Sequence, residues 1–224
     1  LSLNRGVTKF GLAPHKPVFL LAVIDSIENG EITENRIEIT DDLLRHFYDN
    51  WNLLVKTNNS PNFSLPFFHL KNEKSEICNL ITVPVKEIPT TKSKSIKSFK
   101  ALNDTVQAAT LSEDLFDALT RKEVREEVKK ALLRKYFGVS SQTELTGYKT
   151  FSESIEEEML GDPYQNYARR VNRKIQVIPE ESKEEILILR SSIFRRIILG
   201  LYNNQCSVSG LKVGDINRTS MVDA

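Results

Sequence analysis

The segment GLAPHKP, residues 11–17, sets His15 and Lys16 inside a frame of glycine and prolines. A stiff turn of this kind delivers both side chains at the entry of an apolar segment. If that segment is a helix, its first N–H groups face outward and favour an anion, and a lysine there suits a phosphate. The plain alternative is an ordinary helix entry with solvated polar side chains. A second stretch, LPFFHL at 65–70, has a proline leading into an aromatic-rich run. Read as a strand, it puts Phe68 and His69 on opposite faces. His69 is then either a core histidine satisfied by a carbonyl or, with Pro66 and a phenylalanine, the lining of a surface pocket. Lys92, Lys94, Lys97 and Lys100 form one basic cluster, and Arg169, Arg170, Arg173 and Lys174 another. Each reads as solvated surface unless the clusters share a face, where they would neutralise several phosphates.

No catalytic constellation is complete. The chain has no GxSxG, HExxH or P-loop pattern. Cys206 lacks an identifiable base, and Cys78 and Cys206 are the only cysteines, neither of them in a CxxC. Three histidines in all speak against a complete structural zinc site. His46 falls beside the core stripe of a predicted helix and reads as structural. The net charge of +1 lacks the asymmetry of a strongly basic nucleic-acid binder. One basic face on a neutral protein is still enough for such a partner.

The elements that must position these residues follow from periodicity. The 224 residues, 40% of them hydrophobic, suffice for one large domain or two small ones. No apolar run reaches membrane-spanning length and the first residues lack a signal-peptide core, so the cytoplasm is the default compartment. Segment 17–29 is apolar around most of its circumference and predicts a buried helix stopped by Gly30. Arg36–Ile39 alternates as a strand. Thr40 then caps a helix whose stripe is Leu43, Leu44, Phe47, Tyr48, Trp51, Leu54 and Val55. Residues 57–66 are turn chemistry; Phe67–Leu70 and Ile77–Val83 predict a strand pair around 71–76. The lysine-rich stretch 86–100 fits a mobile loop, and 105–110 a short strand. Ser112 caps one helix, and Thr120 with Glu123 forms a capping box for the next, which stops at Gly138. Beyond it come a linker, helices over 151–160 and about 164–174, an acidic stretch at 179–185, and a helix from about Ser192.

Two distant stretches also carry a resemblance. APHKPVFLLAVIDSIENGEI (13–32) with LPFFHL (65–70) resembles the N-terminal DNA-binding domain of HNH-type restriction endonucleases. That group includes the sulfur-binding domain of phosphorothioate-dependent enzymes. FRRIILGLYNNQCSVSGL (194–211) with SMVDA (220–224) resembles the opening of the HNH nuclease domain in the same proteins. The resemblance implies a mostly helical α+β DNA-recognition domain with a small sheet over 1–138 and a helical linker over 139–189. The start of a ββα-metal domain would follow over 190–224. It implies duplex DNA as partner, with or without a backbone phosphorothioate or another modification, and a possible homodimer suited to double-strand cleavage. The expected DNA-contacting residues are Arg5, His15, Lys16, Leu65, Pro66, Phe67, His69, Lys71, Arg169, Arg170 and Arg173. Leu65, Lys16 and His69 depart from the sulfur-binding pattern, which has an aromatic, an arginine and a small residue there. DNA binding therefore carries over better than sulfur specificity. The catalytic histidine and the divalent-metal ligands of an HNH centre have no counterpart in this chain, so no catalytic residue or cofactor is expected within it; magnesium or a similar ion would belong to the nuclease part. A non-catalytic interaction module remains the alternative, and a hydrolase built on Cys206 a weaker third.

Overall fold

Helix α1 (His15–Glu28) is the central element because it is apolar on nearly every side: Pro17 through Ile24, Ser26 and Ile27 are all buried. Pro17 sits in its first turn, where a missing N–H costs nothing. The helix ends before Gly30, whose φ of 71° is the left-handed conformation that stops a helix. In this computed structural model the described residues are 2–73, 77–84, 87–92, 95–96, 98–140, 142–145, 148–161, 169, 171, 173, 176, 180–205 and 209–210.

Among them the chain is a mostly helical α+β fold. Helix α2 (Asp41–Leu54) begins as expected, with Thr40 Oγ1 accepting the Leu43 N–H at 3.2 Å. Its apolar stripe packs along α1. Two small antiparallel sheets accompany the helices. One is the hairpin β1 (Val7–Thr8) and β2 (Gly11–Leu12). The other has strand order β3 (Ile37–Glu38), β5 (Val106–Leu111), β4 (Cys78–Thr82), with Ala108 and Ala109 buried in the middle strand.

Several expectations are corrected. The LPFFHL stretch is a helix, α3 (Ser64–His69), followed by a 3-10 turn over Leu70–Asn72; only Ile77–Val83 supplies a strand, β4. The physical reason lies just upstream. Asn62 Oδ1 accepts the Leu65 N–H at 3.0 Å, which caps the turn, and Pro66 occupies a first-turn position. Phe63, Phe67 and Leu70 then fall at helical spacing and are all fully buried. Phe68 and His69 are thus neighbours around a helix rather than opposite faces of a strand. The lysine-rich stretch ends in an unforeseen helix, α4 (Phe99–Thr105), capped by Ser98 Oγ on the Ala101 N–H at 3.1 Å. Helices α5 (Glu113–Thr120) and α6 (Lys122–Phe137) have the expected bounds, and α6 stops at Gly138 with φ of 68°. The capping box does not form: Thr120 Oγ1 donates back to the Asp117 carbonyl at 2.8 Å. Ser112 holds the N-cap position of α5 without a side-chain bond.

Residues expected to form a connector contribute to the same core. Helix α7 (Phe151–Gly161) buries Ile155, and Asp49 of α2 caps its start by accepting the Ser152 N–H at 2.8 Å and Oγ at 3.0 Å. Helix α8 (Glu180–Leu201) begins well before Ser192 and absorbs the acidic stretch. It buries Ile186, Leu189 and Ile193, together with the Glu185 carboxyl. Glu185 accepts from Tyr48 Oη–H at 2.8 Å, the Phe63 N–H at 3.1 Å and Ser64 Oγ–H at 3.0 Å. Ser182 Oγ donates to the Pro61 carbonyl at 3.0 Å. Helix α8 therefore fastens the segment that leads into α3. No described helix is long and apolar enough to cross a membrane. The helix expected near 164–174 and the stretch expected to open a ββα-metal unit, including Cys206, lie largely outside the described residues.

Candidate nucleic-acid interface

The first turn of α1 and the exposed side of α3 enclose a groove of about 660 Å³, with the N-terminal segment along its rim. Val7, Ala13, Leu65 and Pro66 make its apolar wall. Arg5, His15, Lys16, His69, Asn72 and Ser95 supply the polar side. Six of the sequence-predicted residues thus converge: Arg5, His15, Lys16, Leu65, Pro66 and His69. His15 and Lys16 are already within the helix, in its first turn, rather than in the turn before it.

The charge state of the groove differs from what residue types suggest. The Lys16 ammonium is ion-paired with Glu73, whose side chain is 2% exposed. The other Glu73 oxygen accepts the Asn4 N–H at 2.9 Å. Lys16 is thereby neutralised inside the protein. Nothing in the local sequence marks Glu73, one polar residue among several in a turn; only its burial gives it weight.

Both groove histidines are held neutral. His15 Nε2 lies 3.0 Å from the Ser60 carbonyl, which can only accept, so this nitrogen carries the proton. Its ring rests against Trp51, with centroids 4.7 Å apart. Burial draws its pKa below the ordinary histidine value, against the opposing pull of the Ser60 bond. His69 accepts from Asn72 Nδ2 at 3.2 Å through Nδ1, which leaves Nε2–H to donate to Ser95 Oγ at 2.9 Å. Its pKa is lowered by burial first, then by the charges of Lys16 and Lys71.

Arg5 is the groove's uncompensated cation. Its guanidinium stands 4.9 Å from the Tyr136 ring centroid, and it has no carboxylate partner among the described residues. The Tyr136 hydroxyl accepts the Leu3 N–H at 2.7 Å, so the end of α6 places the N-terminal segment that carries Arg5.

The remaining predicted residues lie elsewhere. Phe67 is fully buried against Phe19, at 5.5 Å between centroids, and holds α3 in place without lining the groove. Lys71 lies outside the lining, with its ammonium 3.9 Å from the Phe68 centroid and its pKa lowered by burial. Arg169 and Arg173 are exposed and do not line the groove; Arg170 lies outside the described residues, as do Lys94, Lys97 and Lys174.

The chain matches no family model and no curated protein. Another depression, of about 740 Å³, is edged by Glu153, Glu156 and Glu157 of α7, and its one lysine, Lys149, is bound to Glu157 at 2.7 Å. That acidic rim is unsuited to an anion. His46 is a structural residue, with Nε2 3.0 Å from Glu31 and 3.2 Å from Asn29. Cys78 is buried and its thiol is pushed up to about 12 by desolvation, which makes it inert.

Proposed function

We propose that this chain recognises duplex DNA through the groove between α1 and α3, as the binding part of a cytoplasmic HNH-type restriction endonuclease. The observation that carries the reading is the convergence of Arg5, His15, Lys16, Leu65, Pro66 and His69, from distant parts of the sequence, on one groove. A guanidinium with no carboxylate partner among the described residues, beside an apolar wall, suits a backbone phosphate that carries, or adjoins, a weakly hydrated group. A phosphorothioate sulfur, a base methyl group and an unmodified sugar edge all meet that description. His69 lines the polar side of the same groove. The divalent metal implied by the resemblance does not fit the histidines present: His69 uses both ring nitrogens, and His15 and His46 serve separate hydrogen-bond networks. A non-catalytic regulatory module binding DNA or protein is the second reading, favoured by the net charge of +1.

The test is fluorescence anisotropy on plain, methylated and phosphorothioate duplexes over a salt series. Binding should fall linearly in log K against log salt, with a slope of about −0.9 for each phosphate engaged. Failure of every duplex to bind at low salt removes DNA as the partner.

Acidity supplies a second expectation. Burial lowers the pKa of both His15 and His69, so each is half-protonated only at a pH below the ordinary histidine value near 6.5. Two signs follow. The unfolded chain takes up these protons first, so stability declines as pH drops below that value. Protonation in the folded state adds positive charge to the groove, so DNA affinity rises over the same interval. The affinity gain between pH 7.5 and 5.5 should shrink in His69→Gln, as measured by the same anisotropy titrations; an undiminished gain would assign it to other groups.

A further inference from the structure

We propose that the β1–β2 hairpin is an apolar wedge that enters the base stack of the duplex held in the groove. The inference rests on the DNA reading and adds a second contact of a different kind. In a fold whose large apolar side chains are mostly buried, this hairpin exposes Val7 at 84%, Leu12 at 52% and Phe10 at 37%. Val7 and Leu12 are register partners and so share one face of the hairpin. Lys9 and Phe10 form its tip.

The hairpin is braced as a tool rather than left as a loose end. The Ala13 N–H donates to the Gly6 carbonyl at 2.8 Å and closes its base. Thr8 Oγ1 accepts the Phe10 N–H at 3.1 Å and lies 2.9 Å from Asn59 Oδ1, which fixes the other face to the body of the protein. Gly11, at φ of 103°, permits the tight return.

Charge identifies the occupant. The sequence has no acidic residue before Asp25; of the three cations in that span, Lys16 is neutralised by Glu73, which leaves Arg5 and Lys9 beside the hairpin. The Lys9 ammonium lies 4.8 Å from the Phe10 centroid, and neither Lys9 nor Arg5 has an ion-pair partner among the described residues. An apolar protein partner would gain nothing from that cationic setting; a polyanion with stacked apolar bases matches both features. Gly6, Val7 and Ala13 also line the groove, so a backbone seated there runs directly past the hairpin. Apolar side chains driven between base steps unstack them and kink the duplex.

The probe is a short duplex series with 2-aminopurine placed at each position in turn, titrated with the full chain. Wild-type protein should raise the fluorescence several-fold at one or two adjacent positions. Phe10→Ala should abolish that rise and weaken binding about tenfold, within the range for one lost base–aromatic contact; Phe10→Trp should restore both. Phe10 is at an exposed tip, so the variants test contact rather than folding. Tight binding with no fluorescence rise at any position overturns the wedge while leaving the DNA reading intact. No binding at all removes both. If wild type sediments as a dimer and Phe10→Ala as a monomer, the face is a self-contact and the wedge is overturned.

Discussion

Replacing Glu185 with alanine is expected to destabilise the fold by about 3 kcal/mol, since an unsatisfied buried donor costs ~1–3 kcal/mol and this one carboxyl serves three. Tyr48 Oη–H, the Phe63 N–H and Ser64 Oγ–H would lose their acceptor together. Relief of the carboxyl's own desolvation offsets part of the loss. A chain of this length should lose on the order of 10 °C in melting temperature. Urea denaturation followed by circular dichroism measures it. Leu187→Ala, on the same helix but 48% exposed, is the control and should stay within about 0.5 kcal/mol. A Glu185→Ala protein as stable as that control would show that α8 is not fastened through this carboxyl. The pH dependence has a definite sign. Burial raises the Glu185 pKa above its ordinary value, in spite of the donors that favour the anion. The stability linked to its protonation is complete below the ordinary value near 4.5 and is lost as pH rises through the elevated one. The deficit of Glu185→Gln relative to wild type should therefore shrink as pH rises.

The second large effect separates two basic residues that the sequence treats alike. Arg5→Ala should weaken duplex binding about tenfold and make the salt slope shallower by about one unit, the signature of a lost phosphate contact. Lys16→Ala should instead act on folding. It strands the Glu73 carboxylate, 2% exposed, without its cation. Breaking a buried pair in this way costs about 3 kcal/mol. Its salt slope should remain close to that of wild type. Salt-series anisotropy and urea denaturation on both variants decide the matter. A shallower slope in Lys16→Ala, with none in Arg5→Ala, would exchange the two roles.

Much of the framework was open to reading. Helix α1 declares itself by an apolar circumference and Gly30, α2 by its stripe and Thr40, and α6 by its stop at Gly138. These signals act within one or two turns of chain, and the structure respects them. Short aromatic runs are different. LPFFHL has a length and composition that suit a strand or one and a half helical turns equally. The Asn62 cap, the packing of Phe63 and Phe67 on Phe19 of α1 and the burial of Leu70 settle it. The start of α8 is hidden in the sequence for a related reason. Pro179–Glu185 looks like solvated acidic chain until Glu185 finds three donors in other elements.

The sequence by itself determined the α+β class, most helix limits, and the residue types available to the groove between α1 and α3. It placed His15 and Lys16 at a helix entry and Leu65 and Pro66 in a second, distant segment. Which of those residues carries a usable charge was decided only in three dimensions. Glu73 neutralises Lys16, Ser60 and Trp51 hold His15, Phe67 turns inward, and Arg5 is left without a carboxylate among the described residues. Periodicity and capping are local interactions and leave a local trace in the order of residues. An ion pair between residues 16 and 73 leaves none, because Coulomb energy depends on distance through space and on burial, and both arise only once the chain has packed.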